Sequence, residues 1–454
     1  MSFVKHLKDY QHHWVDQLQL FPVGYLFLLV SYSLVIFGSP MPPKITWLQI
    51  VMGCGLLVGG LALTNRLLRA ASACKWKKIV LVLVSLLLVV PLLIASIKGN
   101  DTINIVRDVI PFLFLFAVPV LLIFPISVTN REVARDYLTL TLLLVGVITA
   151  LIFFSELTRY GSLQQIVERM QNAFHTMQYH YQSNALTNAQ LQVWAIMDLK
   201  NQANAGIQLV FLKLYDPAVL FAALFLSSWG VVLIIRSWRW LAAGTLLLVI
   251  GTLIAYGSMI IGLRTYTAFY VLVVLTVVAL HLKERGLYTR LLPIAALGLG
   301  FLWPQIEKVL KLLWIKEQVV GANGKGAEWH AIISLIFSSA KTALFGIGWG
   351  GVFENPIYSD EPSRFSHSIL SFFLLKGGIV GLTLLLAIVA LLIFSNIKLS
   401  KMSKLTMSRY ILLLSCIPPL VIGLLFEPTY KMISYGVIFS LFILALPLAE
   451  RGIV

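Results

Sequence analysis

The chain has 454 residues, of which 59% are hydrophobic and only 12% charged, with a formal net charge of +16 and a mean hydropathy of +0.89. An ordinary soluble domain carries about twice that share of charge, so a soluble globular fold is excluded. The 35 Lys and Arg residues are spread between apolar runs, which directs the reading away from nucleic acid and towards a basic polytopic membrane protein.

The N-terminal stretch MSFVKHLKDYQHHWVDQLQLF is polar and amphipathic. It lacks the short apolar core and small-residue cleavage site of a signal peptide, so the first span is expected to remain as an anchor. Crossing about 30 Å of hydrocarbon takes roughly 20 apolar residues. Runs of that kind fall at 21–38, 46–64, 79–97, 109–127, 137–154, 217–235, 240–258, 265–281, 290–303, 367–394, 410–426 and 432–448. The expected fold is therefore all-α: a single integral membrane domain over 1–454 with about twelve transmembrane helices. Lys and Arg concentrate in alternate loops, as in Arg66, Arg69, Lys75, Lys77 and Lys78, then Arg131 and Arg135, Arg236 and Arg239, Lys283 and Arg285, and Lys398 to Arg409. This asymmetry predicts cytoplasmic termini.

Two long loops then fall on the opposite face. In 155–216, Leu163, Val167, Met170, Phe174 and Met177 recur at helical spacing with polar residues between them, predicting an amphipathic helix on the membrane or capping the bundle. The loop 304–366 holds the turn-rich VVGANGKGAEWH, the apolar AIISLIFSSAKTALF and the glycine-rich FGIGWGG. Ser338, Ser339 and Lys341 interrupt the apolar stretch, which predicts a re-entrant or surface helix.

His367 stands where this loop turns into a membrane helix. An imidazole titrates near neutrality and can take a proton from a hydroxyl nucleophile; an interfacial histidine bonded to a carbonyl would occupy the same place. Arg264, in GSMIIGLRTYTAFYVLVV, is a lone guanidinium between two apolar spans. Its planar fork suits phosphate oxygens, although snorkelling to lipid headgroups is an equal alternative. Lys325 and Arg364 are further cations on the same side, and His330 could line the same cavity. Gly346, Gly348, Gly350 and Gly351 lack the strand and GK[ST] of a nucleotide loop and read as a tight turn, while Gly377, Gly378 and Gly381 suit close helix approach. Lys376 lies inside the same span, nine residues from His367. Cys54, Cys74 and Cys416 are odd in number and lack CxxC or Cys/His spacing. With no metal-ligand spacing among Asp, Glu and His either, metal-independent chemistry without a cofactor is expected.

His367-Ser368, nine residues, Gly378-x-x-Gly381 resembles the signature of the bacterial O-antigen ligase and polymerase superfamily. FGIGWGG is similar to that family's Gly-x-Gly stretch before the histidine loop, and GLRTYTAFYVLVV to its arginine segment. These motifs cover about 255–394. One departure is Lys325, which stands four residues before Trp329 where ligase-like members carry Arg; Lys325 or Arg364 could replace it.

The resemblance implies a GT-C-like glycosyltransferase in the bacterial inner membrane, working on the periplasmic side among membrane lipids. Its donor would be a glycan on undecaprenyl diphosphate. His367 would be the base and Arg264 the catalytic cation for the diphosphate, with Lys325, Arg364, His330 and Ser368 binding diphosphate or glycan. A polymerase would extend a second lipid-linked repeat unit, with a chain-length regulator as a candidate partner; a ligase would glycosylate lipid A–core. Two long outer loops and the lysine at 325 lean towards a polymerase. A protein O-oligosaccharyltransferase shares the chemistry, and a polyprenyl-glycan flippase is the alternative of another class. No nucleic-acid partner is expected.

Overall fold

The computed structural model describes residues 75–124, 131–157, 214–260, 263–285, 325–355, 362–395 and 406–447. These residues are almost entirely helical. In chain order the helices are α1 (Lys75–Lys98), α2 (Thr102–Phe112), a π-turn (Leu113–Ala117), α3 (Val118–Ile123), α4 (Arg131–Leu157), α5 (Pro217–Arg236), α6 (Leu241–Ile260), α7 (Arg264–Arg285), α8 (Lys325–Ile336), α9 (Ala340–Phe345), α10 (Ile369–Phe394), α11 (Met407–Leu425) and α12 (Ile433–Ala445). Among the described residues an isolated β-bridge pairs Phe353 with Ser363.

Among the described residues, seven helices are long and apolar enough to cross a membrane, and Arg264–Leu280 and Ile433–Ala445 are shorter apolar helices. Apolar side chains such as Val82, Leu93, Leu151 and Leu272 stay more than half exposed, as a lipid-facing surface requires. The expected spans at 21–38, 46–64 and 290–303 lie outside the described residues, as do 158–213, with the amphipathic helix expected there, and 304–324 of the second long loop.

Two boundaries differ from the sequence reading. The turn-rich VVGANGKGAEWH becomes helical from Lys325, and the Glu328 carboxylate in the first turn suits the helix N-terminus. The fourth apolar run is preceded by a helix from Thr102: Asp101 caps it through Oδ2 to the Asn104 amide at 2.9 Å. Arg107 and Asp108 lower the local hydropathy but lie inside that helix. The stretch AIISLIFSSAKTALF forms the end of α8 and the whole of α9, separated where Ser339 caps α9 by accepting the Thr342 amide at 3.2 Å.

The chain divides into two compact units. One comprises Met1–Val145, Ser339–Gly351 and Ser368–Val454; the other comprises Gly146–Ser338 and Val352–His367. In the first, α10 packs along α1, and α11 along α12. Trp349 is fully buried among Phe112, Phe372 and Phe373, with ring centroids 5.8, 5.9 and 6.2 Å away, and its Nε1 donates to the Leu88 carbonyl at 2.9 Å. Such rings add to area burial through edge contacts. α10 breaks at Gly378 (φ 61°, ψ −155°). At the break the carbonyls of Leu375 and Lys376 accept the amides of Ile347 and Gly348 at 2.9 and 3.0 Å. Asn100 donates to the Ile347 and Trp349 carbonyls at 3.0 and 2.8 Å, so the glycine-rich loop is held from both ends.

In the second unit α5 and α6 approach through small residues: a Cβ on Gly230 would fall 2.7 Å from the Gly244 carbonyl oxygen. The Tyr270 hydroxyl joins Ser227 of α5 at 2.8 Å and Thr252 of α6 at 3.0 Å, a polar tie among three apolar helices. Tyr266 donates to the Tyr215 carbonyl at 3.0 Å and so fixes the first turn of α7, where Arg264 begins the helix.

Candidate active site

The antiparallel bridge in the second unit brings two short segments together: the Phe353 and Ser363 amides and carbonyls bond reciprocally at 2.8 Å. Asn355 follows on one segment and His367 on the other. Both meet Glu328, which α8 presents from its first turn and which is 2% exposed. The Glu328 Oε1 accepts the backbone amide of His367 at 2.8 Å, and Oε2 contacts the His367 Nδ1 at 2.5 Å and accepts from the Asn355 amide at 3.2 Å. The His367 side chain retains 16% of its exposure, and Phe365 lies beside the ring at 6.4 Å.

Burial alone would push the Glu328 carboxyl up. The His367 hydrogen bond and charge, then the backbone amide and Asn355, outweigh it and hold the group below its ordinary value. An ionised carboxylate is an acceptor only, so its contact to Nδ1 calls for a proton on that nitrogen. In the neutral ring the other nitrogen, Nε2, is then an acceptor. This carboxylate is a partner the sequence reading did not supply.

The other expected site residues take distinct places. Arg264, half-buried, begins α7 in the same unit as His367. Lys325 begins α8, three residues before Glu328, and Arg364 lies three residues before His367; both are half-buried. His330 is exposed, two positions beyond Glu328 and so on another side of α8, with Nδ1 3.5 Å from the Ser334 hydroxyl. Ser368 belongs to the first unit. It is 1% exposed and caps α10, its Oγ accepting the Ser371 amide at 3.1 Å. Gly346 and Gly348 take positive φ of 72° and 80°, whereas Gly381 is an ordinary buried helical position.

Glu328 and Asn355 were not singled out from sequence. Glu328 follows the glycine-containing GKGA and reads as a loop charge. Its one signal is the pattern of an acidic residue opening an apolar helix. Asp108, inside the first unit, was likewise missed. Its carboxylate meets the Lys376 ammonium at 2.7 Å and accepts the Gly350 amide at 2.8 Å, while Lys376 donates to the Gly351 carbonyl at 2.6 Å. Separately, the first unit holds an apolar cavity of about 230 Å³ lined by Leu115, Phe116, Ile369, Leu385, Ile417 and Phe439. Among the described residues no three His, Cys, Asp or Glu side chains gather in a metal-ligating group.

Comparison with protein-family models, with curated proteins and with solved structures gives no match for this chain.

Proposed function

We propose that the protein is a glycosyltransferase of the bacterial inner membrane, with twelve spans, cytoplasmic termini and a site open to the periplasm. It acts on a glycan carried by undecaprenyl diphosphate, as an O-antigen or related surface-polysaccharide polymerase. One observation carries the reading: the His367 ring is held at Nδ1 by a buried carboxylate, which leaves Nε2 as a base in a motif that resembles the ligase and polymerase superfamily. The acceptor hydroxyl attacks the anomeric carbon at the reducing end of the donor glycan. The bond from that carbon to the diphosphate oxygen breaks as the glycosidic bond forms, the hydroxyl proton passes to Nε2, and undecaprenyl diphosphate leaves. Diphosphate is a good leaving group, so the chain needs only cations for the developing charge and a base for the hydroxyl. Arg264 takes the first role, supported by Lys325 and Arg364.

Purified protein in proteoliposomes, given undecaprenyl-diphosphate-linked repeat units and no ion gradient, is expected to build lipid-linked polymer. The acceptor is read from the lipopolysaccharide of a deletion strain. A single repeat on the core marks the polymerase, and bare core with accumulating lipid-linked polymer marks the ligase.

A flippase of lipid-linked glycan has one observation in its favour, the buried Asp108–Lys376 pair inside helices long and apolar enough to span a membrane. Translocation of the donor without elongation in the same proteoliposomes would select it.

A further inference from the structure

We infer that Glu328 is the positioning residue for the His367 base, holding the ring in the tautomer that leaves Nε2 as proton acceptor, with Asn355 anchoring the carboxylate. This rests on the role proposed above for His367. The three contacts divide the work. The Oε1 bond to the His367 backbone amide, 2.8 Å, fixes where the chain stands, and the Oε2 contact to Nδ1, 2.5 Å, fixes how the ring is turned. Two bonds from one carboxylate to one residue leave the imidazole little rotational freedom.

Asn355, itself 3% exposed, donates to Oε2 at 3.2 Å and keeps the carboxylate from turning away. Among the described residues, Glu328 is an ionisable group in contact with the ring, and Phe365 lies beside it. Lys325 on α8, Glu354 beside Asn355 and Arg364 three residues before His367 are the neighbouring charges along the described segments. A buried carboxylate is unfavourable unless donors surround it, and here both oxygens are engaged. A clasp that merely closed α8 onto the 353–367 segment would need the backbone bond and Asn355, but not the ring. The ring contact is what a catalytic orienter adds, since a carboxylate on Nδ1 selects the tautomer and stabilises the imidazolium formed when Nε2 takes a proton.

Glu328→Gln inverts this logic. If the amide oxygen keeps the His367 backbone bond, the amide NH₂ faces Nδ1 and can be accepted only by the opposite tautomer, which places the ring proton on Nε2. Two arms test it on the purified full-length protein. In the first, turnover of the lipid-linked repeat unit by E328Q is expected to fall by at least about 10²-fold with KM nearly unchanged. In the second, diethyl pyrocarbonate modification of His367, quantified by peptide mass spectrometry, is expected to slow in E328Q, because the opposite tautomer puts the ring proton on Nε2, the nitrogen that would react. A clasp that does not select the tautomer would leave that rate unchanged. The second arm needs no donor. Thus a wild-type protein without transferase activity overturns the functional reading, while an unchanged modification rate in E328Q overturns the role of Glu328. If E328Q does not fold, Asn355→Ala decides: kcat about tenfold lower at constant KM supports the inference, and wild-type kinetics reject it.

Discussion

Lys376 and Asp108 form an ion pair at 2.7 Å that is almost wholly withdrawn from solvent, 0% and 1% exposed. The pair is also the brace of the glycine-rich loop, since Asp108 takes the Gly350 amide and Lys376 gives to the Gly351 carbonyl. Breaking a buried pair on one side strands the other charge, at a typical cost of about 3–5 kcal/mol, whereas replacing both with apolar residues can be close to neutral. Lys376→Met or Asp108→Leu alone should therefore sharply lower the thermal stability of the purified protein, and the double variant should recover most of the loss. Additive losses would show that the two charges act separately.

Gly378 and Gly346 pack backbone against backbone in the same unit. A Cβ on Gly378 would lie 2.6 Å from the Gly346 nitrogen and from the Leu344 carbonyl, on a residue with φ of +61°. Gly377 beside it is buried but has room for a Cβ, whose nearest contact would be Pro91 Cγ at an ordinary 3.7 Å. Gly378→Ala is expected to destabilise by about 3 kcal/mol or more, combining left-handed strain with a backbone clash, and Gly377→Ala by less than about 1 kcal/mol. Folded-protein yield and unfolding midpoint rank the two, and equal effects would contradict the break in α10.

These two relationships show what the sequence made legible. Apolar run length located the described membrane helices, because hydrocarbon thickness sets helix length independently of tertiary detail. The glycine spacing marked a place where backbones come close, but the kink itself depends on a loop 32 positions earlier, Gly346 against Gly378. The charged partners were hidden for the same reason. Glu328 and His367 are 39 positions apart and Asp108 and Lys376 far more, and each acid sits in a stretch whose low hydropathy resembles a solvated loop. Burial of an isolated charge is decided by its partner, and periodicity carries no information about partners.

The proposed orientation is tested with single cysteines after Cys54, Cys74 and Cys416 are replaced. Glu354 and Arg239 are both exposed and fall on loops assigned to opposite faces. Glu354→Cys in intact inner-membrane vesicles of right-side-out orientation should react with an impermeant maleimide, and Arg239→Cys only after permeabilisation. The reverse pattern would put His367 in the wrong compartment for a lipid-linked donor presented outside.

The depressed Glu328 carboxyl makes a stability prediction with a definite sign. Its ordinary value is 4.5, and burial, which would raise it, is outweighed by His367 and Asn355. A carboxyl held lower in the folded protein contributes stability above its unfolded value and loses it as pH falls through the folded value. The thermal unfolding midpoint of the wild type should therefore fall below about pH 4.5, and E328Q should be less acid-sensitive in that window. Parallel pH curves for the two proteins would show that Glu328 contributes nothing to this linkage.

The strongest separation of roles lies between His367, in the segment held by Glu328, and Arg264, at the start of α7 in the same unit. If His367 is the base, His367→Ala should reduce turnover on the order of 10²–10⁴-fold while donor binding survives, because proton transfer enters only the transition state. Arg264→Ala should weaken donor binding and turnover together, since a guanidinium on the diphosphate acts on ground state and transition state alike. Arg264→Lys should restore only part, keeping the charge without the bidentate fork. Ser368→Ala should lose only the α10 cap, about 1 kcal/mol of stability, with kcat and donor affinity close to wild type. The measurement pairs equilibrium binding of undecaprenyl-diphosphate-linked repeat unit with single-turnover kinetics on each variant. Equal loss of binding and turnover in His367→Ala would make that histidine a donor ligand. Wild-type turnover would reduce it to a structural partner of Glu328. Full activity in Arg264→Ala would return that arginine to the lipid headgroups.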